Sequence, residues 1–213
     1  MPRGEEVVVS TAPLERLAVS VRRLIDTTVS VAAPPAALER AADTIERIVA
    51  ELAGFVPSPL PPRYPGVPAS GALQDYFPYD VVFGRLNPLA PPVTVEWHEP
   101  RAIGRVRLGT PYEGPPGCVH GAVVAAVFDQ VLNAANLMCG TPGPTASLEV
   151  RYRRPTPLHV DLCFEGWQER VEGRNVHAAG RLLADGRVTA EATGRFVLLA
   201  PEDVLRMLER RGS

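Results

Sequence analysis

Lysine is missing from this sequence of 213 residues, and all 22 basic residues are arginine. The absence excludes mechanisms that need a lysine amine, which are those of Schiff-base enzymes, pyridoxal-phosphate enzymes and the P-loop nucleotide site. The arginines are balanced by 24 acidic residues, so the formal net charge is −2. Because nucleic-acid binding depends on neutralising phosphates, we expect no nucleic-acid partner.

Cysteines and long apolar runs are also scarce. The three cysteines form no Cys-x-x-Cys pair, and the four histidines lack the spacing of metal ligands. The sequence therefore predicts no disulfide framework and no metal or redox cofactor. No apolar window of about 18 residues is free of charge, and the first residues lack the apolar core of a secretory signal. We expect no membrane span and a reducing, cytoplasmic location.

Proline is abundant, and its distribution divides the chain into three parts. Fourteen of the 23 prolines lie between Pro57 and Pro116. We predict an N-terminal helical extension at 1–56, a proline-rich connector at 57–86 and a main domain at 87–213. Proline interrupts helices and central strands, so residues 57–71 form either an extended connector or a disordered linker. Residues 76–92 are expected to wrap the main domain.

The N-terminal part has the pattern of two amphipathic helices between Pro13 and Phe55. Apolar residues recur there at helical spacing, and Pro34 and Pro35 separate the two runs. Proline suits the first turn of a helix, and Gly54 suits the end of the second one. The prediction is a helical hairpin that serves packing or oligomerisation.

Beyond residue 92 the apolar pattern changes to the alternation of strands, interrupted by one long apolar helix. Two strands are predicted at 93–98 and 102–108, the helix at 119–139, and four strands at 146–153, 160–169, 175–183 and 188–199. Asp185 and Gly186 predict a tight hairpin, and Pro201 begins a short C-terminal helix. We predict an α+β fold in which an antiparallel sheet of about six strands wraps the long helix.

A polar stripe interrupts the apolar helix. Asp129, Asn133 and Asn136 are spaced so that they share one helix face. A carboxylate there is costly unless it is hydrogen-bonded, so Asp129 either caps a loop, bonds across a subunit interface or serves a function. His120 and Gly121 lie at the start of the helix, where unpaired backbone N–H groups can receive a developing anion.

These residues resemble a known family. The segment Pro116–Gly121, then Asp129, and then residues 145–155 are similar to the hotdog-fold acyl-CoA thioesterases of the PaaI-like type. The resemblance covers residues 87–199 and implies a hotdog fold. One position departs from the pattern, because Ala122 stands where the family has a second glycine.

The resemblance implies a role for each matched residue. Gly121 is expected to donate its backbone N–H to the thioester carbonyl oxygen, and Asp129 to act as general base or nucleophile. Thr145 is expected to orient the attacking water or the carboxylate, and His120 to position the loop or the thioester. The implied reaction is hydrolysis of an acyl-CoA to a free acid and CoA. Two alternatives are a non-catalytic acyl-CoA-binding protein and an enoyl-CoA hydratase, although Asp129 lacks the partner histidine of the hydratases.

Substrate contacts and assembly are predicted as well. Asn133 is a candidate substrate-binding residue, and Arg153 and Arg154 can meet the phosphates of CoA or simply form a solvated strand end. A six-stranded sheet on one helix leaves edge strands that need covering. We expect a homodimer or higher homo-oligomer, because the resemblance implies that Gly121 of one subunit faces Asp129 of another.

Overall fold

The computed structural model describes residues 11–60, 75 and 77–199. Helices and strands follow the predicted order, with bounds that differ from the predicted ones by a few residues, and the α+β class is confirmed. The helices are α1 (Ala12–Ser30), α2 (Pro35–Ala53) and α3 (Gly121–Met138), with a 3-10 turn at Thr110–Tyr112. The strands are β1 (Thr94–His98), β2 (Arg101–Arg107), β3 (Thr145–Tyr152), β4 (Asp161–Glu172), β5 (Asn175–Ala184) and β6 (Arg187–Val197). The predicted C-terminal helix lies outside the described residues.

The six strands form one antiparallel sheet in the order β1-β2-β4-β5-β6-β3. The predicted hairpin joins β5 to β6, and Asp185 and Gly186 have positive φ angles of 49° and 71°. Those angles match the two-residue turn that fits the twist of paired strands. β1 and β3 are the edges of the sheet, so β3 pairs with one strand only.

Helix α3 contacts all six strands, so the sheet wraps it as predicted. Val124, Val127, Phe128, Val131 and Leu132 are fully buried beneath it. Glycines in the strands allow α3 to lie close to the sheet, since a Cβ built on Gly104 lies only 2.8 Å from Cγ2 of Val131. By length and composition α3 could cross a membrane, but its burial within the sheet accounts for its apolar character.

The two N-terminal helices of the predicted hairpin are confirmed. Helix α1 contacts the 3-10 turn, whereas α1 and α2 make few contacts with each other. Helix α2 has no buried residue, and its apolar side chains are exposed. The pattern shows which residues share a face but not what covers that face. The exposed residues are Leu38, Ile48, Val49 and Leu52, followed by Phe55 and Val56.

The second half of the connector packs on the main domain. Val82, Phe83 and Val93 belong to the buried core cluster around α3. Asp80 accepts backbone hydrogen bonds from Val82 and Phe83 and fixes this segment. Wrapping by residues 77–92 is therefore observed, whereas residues 61–74 lie outside the described chain. The domain boundaries stay predictions.

Candidate functional site

Asp129, in the middle of α3, meets Thr145 at the beginning of β3. The Thr145 hydroxyl donates to Oδ1 of Asp129 at 2.6 Å. Asp129 is half-buried and Thr145 is exposed on the edge strand, beside an irregularity in the pairing with β6. Oδ2 of Asp129 accepts no hydrogen bond from the described part of the chain. The pair is a carboxylate held through one oxygen with the other left open.

The rest of the polar stripe holds the loop between α3 and β3. Oδ1 of Asn133 accepts from the backbone N–H of Gly143 at 3.4 Å. Asn136 is fully buried, and its Oδ1 accepts from Nε2 of Gln168 at 3.3 Å. The same Gln168 nitrogen donates to the Thr141 hydroxyl at 2.5 Å. Asn133 thus contacts the loop that presents Thr145, and its predicted contact with substrate stays a prediction.

The N-terminus of α3 has one open donor. His120 is the N-cap, and its Nδ1 accepts from the backbone N–H of Ala122 at 3.0 Å. An Nδ1 that accepts carries no proton, so the donor of this exposed ring is Nε2. The next N–H groups, those of Val123 and Val124, donate to the His120 carbonyl. The Gly121 N–H donates to no described residue and lies at the positive end of the helix dipole.

Tyr152 also belongs to this site, although the sequence analysis did not select it as a site residue. Its hydroxyl donates to the carbonyl oxygen of Gly121 at 2.7 Å. Burial raises the pKa of Tyr152, so the hydroxyl stays a proton donor at neutral pH. A Cβ at residue 121 would lie 3.1 Å from that hydroxyl oxygen, so the glycine also leaves room for the ring. The last residue of β3 therefore fixes the first residue of α3.

Gly121 and Asp129 are separated along their own helix. Eight residues at the helical rise put them about 12 Å apart. An attacked carbonyl must lie within about 3 Å of its oxyanion donor and within reach of the base. The Gly121 N–H and the Asp129 carboxylate of one chain are therefore widely separated along α3.

The arginine cluster at the end of β3 is mostly paired. Arg153 forms an ion pair with Glu191 at 2.7 Å, and Arg151 forms one with Glu149 at 2.8 Å. Among the described residues the Arg154 side chain has no hydrogen-bond or ion-pair partner. Arg154 is therefore the member of the cluster that is open to a phosphate.

Comparison with known proteins bears on this set of residues. The family model of the thioesterase superfamily matches residues 116–191, which include His120, Gly121, Asp129 and Thr145. The chain is 34% identical over 106 residues to the acyl-coenzyme A thioesterase THEM4 of Xenopus laevis, covering 48% of this chain and 47% of that protein. It is 28% identical over 109 residues to the Mus musculus protein of the same name, covering 50% and 47%. The chain thus spans about half the length of these curated relatives.

Solved structures extend the likeness to nearly the whole chain. A crystal structure of a thioesterase superfamily protein is 34% identical and superposes with a TM-score of 0.77, covering 92% of this chain and 97% of that one. Zebra fish thioesterase superfamily member 2 is 17% identical with a TM-score of 0.51, covering 61% of this chain and 100% of that chain, and supports the fold alone. A relative of this identity and coverage, together with the wrapped central helix, shows that the chain belongs to the thioesterase superfamily and has its hotdog fold.

Proposed function

We propose that this protein hydrolyses acyl-CoA thioesters to a free carboxylic acid and CoA, as a PaaI-like member of its superfamily. The observation that carries the proposal is the Thr145 hydroxyl bonded to one oxygen of Asp129, with the other oxygen open. Curated relatives are named acyl-coenzyme A thioesterases, which supports this substrate class. Three free thiols fit the cytoplasmic location that we also propose.

In the proposed reaction Asp129 acts as general base. Its open oxygen, Oδ2, accepts a proton from a water molecule whose oxygen forms a bond to the thioester carbonyl carbon. The Thr145 hydroxyl donates to the other oxygen and fixes the orientation of the carboxylate. Collapse of the tetrahedral intermediate breaks the carbon–sulfur bond, and the thiolate of CoA receives the proton. A positioned base contributes about 10²- to 10⁴-fold to a rate.

The Gly121 N–H is the proposed oxyanion donor. It has no partner in the described chain, and the helix dipole favours negative charge there. Tyr152 holds the Gly121 carbonyl, and the His120 ring holds the next N–H, so the donor is fixed before substrate binds. Removing one such donor typically costs about 2.7–4 kcal/mol of transition-state stabilisation.

The proposed active unit is a homodimer, with the potential for a higher assembly. It follows from the separation of about 12 Å between Gly121 and Asp129 along one helix. Strand β3 carries Thr145 and Tyr152 on an open edge of the sheet, which suits pairing with a second copy. The exposed apolar side chains of α2 can extend that contact. We assign Arg154, together with Arg153, to the phosphates of CoA.

The test is a hydrolysis screen of acyl-CoAs with a thiol-trapping reagent. Wild-type protein should release CoA, and Asp129→Asn should lower kcat by about 10²- to 10⁴-fold, because an amide cannot accept the proton. The matched control is Asp43→Asn, an exposed aspartate of α2, which should leave kcat unchanged. If wild type binds acyl-CoA without turnover, the protein is a binding protein. If the kcat of Asp129→Asn is within about threefold of wild type, Asp129 is not the general base.

A further inference from the structure

A cavity of about 630 Å³ lies between α1 and the end of β2. Its volume falls within the range of small-molecule sites, about 300–1,000 Å³. Helix α1, the loop before β1, the end of β2, the 3-10 turn and His159 line it, and it is open to solvent on one side. It is separate from the Asp129–Thr145 pair, and the N-terminal extension supplies one wall. Much of its lining is apolar: Val19, Ile25, Leu89, Leu108 and prolines of two loops.

Two donors face this cavity without a partner. The Arg23 guanidinium and the Tyr112 hydroxyl form no hydrogen bond or ion pair with any described residue. Burial raises the pKa of Tyr112, with Asp26 also raising it and Arg22 opposing, so the hydroxyl keeps its proton at neutral pH. An unpaired cation and an unpaired hydroxyl on apolar walls match an anionic group attached to an apolar body.

The charge around the cavity is positive. Arg22, Arg23 and Arg107 line it against one carboxylate, that of Asp26. The ion pair of Arg107 with Asp161 is long, 3.6 Å, and both side chains are largely exposed. Such a pair is weak and leaves Arg107 able to meet an anion.

The cavity is also built rigidly. Arg22 donates to the carbonyl oxygens of Gly84, Arg85, Asn87 and Ala90 and thereby fixes α1 to the loop before β1. A Cβ on Gly109 would lie 3.0 Å from Oδ1 of Asp26, so α1 and the end of β2 are in close contact. His159 has a φ of 61°, and its N–H donates to the Leu108 carbonyl.

We propose that this cavity binds a free carboxylic acid with an aliphatic tail. The carboxylate accepts from Arg23 and Tyr112, and the tail lies along Val19, Ile25 and Leu89. The ligand belongs to the class of acid that the proposed reaction releases, but its binding in this cavity does not depend on hydrolysis. Tyr112 also accepts, through its carbonyl, the N–H of His120, so an occupied cavity contacts the residue before the oxyanion donor.

The test is calorimetric titration of the full chain with dodecanoate. Dodecylammonium provides the same tail with the opposite charge, and adenosine 3′,5′-bisphosphate represents the nucleotide end of CoA. Dodecanoate should bind, and the other two should not displace it. Val19→Trp fills the cavity and should raise the Kd for dodecanoate at least tenfold. Val29→Trp, an exposed valine of the same helix that does not line the cavity, should leave the Kd within about twofold of wild type.

Charge variants complete the test. Arg23→Gln should raise the Kd about five- to tenfold, whereas Arg16→Gln, on α1 but outside the cavity, should not. If Val19→Trp fails to fold, Leu89→Trp replaces it, because Leu89 is exposed and lines the same cavity. Asp129→Asn should lower kcat by about 10²- to 10⁴-fold and keep dodecanoate binding, which separates this proposal from the proposed function. No binding, binding that Val19→Trp leaves unchanged, or equal binding of dodecylammonium overturns the proposal.

Discussion

At the scale of single residues, the Thr145 hydroxyl should affect kcat through the hydrogen bond that it donates and not through the shape of the side chain. Thr145→Val keeps the shape and removes the bond to Asp129, so kcat should fall about tenfold or more, while Thr145→Ser should stay near wild type. Initial rates with one acyl-CoA substrate check the pair. Thr193→Val, on an exposed position of β6, is the control and should be neutral. A Thr145→Val variant as fast as wild type would assign the hydroxyl a structural role.

Tyr152 is expected to position the oxyanion donor without touching substrate. Tyr152→Phe removes one hydrogen bond to Gly121, which is worth about 0.5–1.5 kcal/mol. If that bond fixes the donor, kcat should fall about two- to tenfold with little change in KM. Steady-state kinetics separates the two constants. A changed KM with constant kcat would instead indicate a contact with substrate.

Sequence reasoning selected Asp129 and Thr145 as candidates, and they are in contact, but it did not select Tyr152, for a physical reason. Asp129 was selected because a carboxylate in an apolar helix needs a hydrogen-bond partner. The family pattern indicated Thr145, 16 residues downstream, as that partner. Tyr152 lies 31 residues from Gly121 and meets it only because β3 runs beside α3. No local sequence pattern predicts that contact.

At the scale of elements, one arginine docks the N-terminal extension on the main domain. Arg22 donates to four carbonyl oxygens between residues 84 and 90. Arg22→Ala should lower the free energy of unfolding by about 1.5–3 kcal/mol, the value of hydrogen bonds to a charged group. The free energy of unfolding of Arg22→Lys should lie between those of wild type and Arg22→Ala, since an ammonium lacks the planar fork of donors. Urea denaturation measures the three proteins.

Hydrogen exchange locates the effect of Arg22. In Arg22→Ala the amides of α1 should exchange faster, whereas those of α3 should keep their protection, because α3 is buried by the sheet. Arg16→Ala, an exposed position of the same helix, should change neither measurement. Equal stability of Arg22→Ala and wild type would mean that the carbonyl contacts contribute nothing to docking.

The elements themselves were predictable where periodicity is local. Alternation and the Asp185–Gly186 turn locate the strands, and the run from Gly121 to Met138 locates the central helix. The relation between α1 and α2 was not predictable. Their apolar stripes match a packed hairpin, but a stripe does not specify its partner, and Arg22 directs α1 to the main domain instead.

At the scale of the whole molecule, the proposed composite site predicts that activity needs two chains, because Gly121 and Asp129 are about 12 Å apart along one helix. Asp129→Asn lacks the proposed base, and Gly121→Pro lacks the proposed oxyanion N–H, while proline is compatible with the first position of a helix. Each variant alone should be nearly inactive. Gly121→Ala controls for crowding of Tyr152, because it adds a Cβ near that ring and keeps the N–H.

The decisive measurement is the activity of the mixed dimer. The two variants are co-expressed with different tags, and the heterodimer is isolated through both. If Gly121 of one chain serves the carbonyl attacked through Asp129 of the other, one of the two sites is intact and the other carries both changes. The heterodimer should then have about half the wild-type activity, as two-fold symmetry requires. The proposal is contradicted if the heterodimer has the confirmed mass and fold but is inactive, while the Gly121→Ala dimer is active. Gly121 and Asp129 would then act on the same carbonyl within one chain, or would not act on the same carbonyl at all.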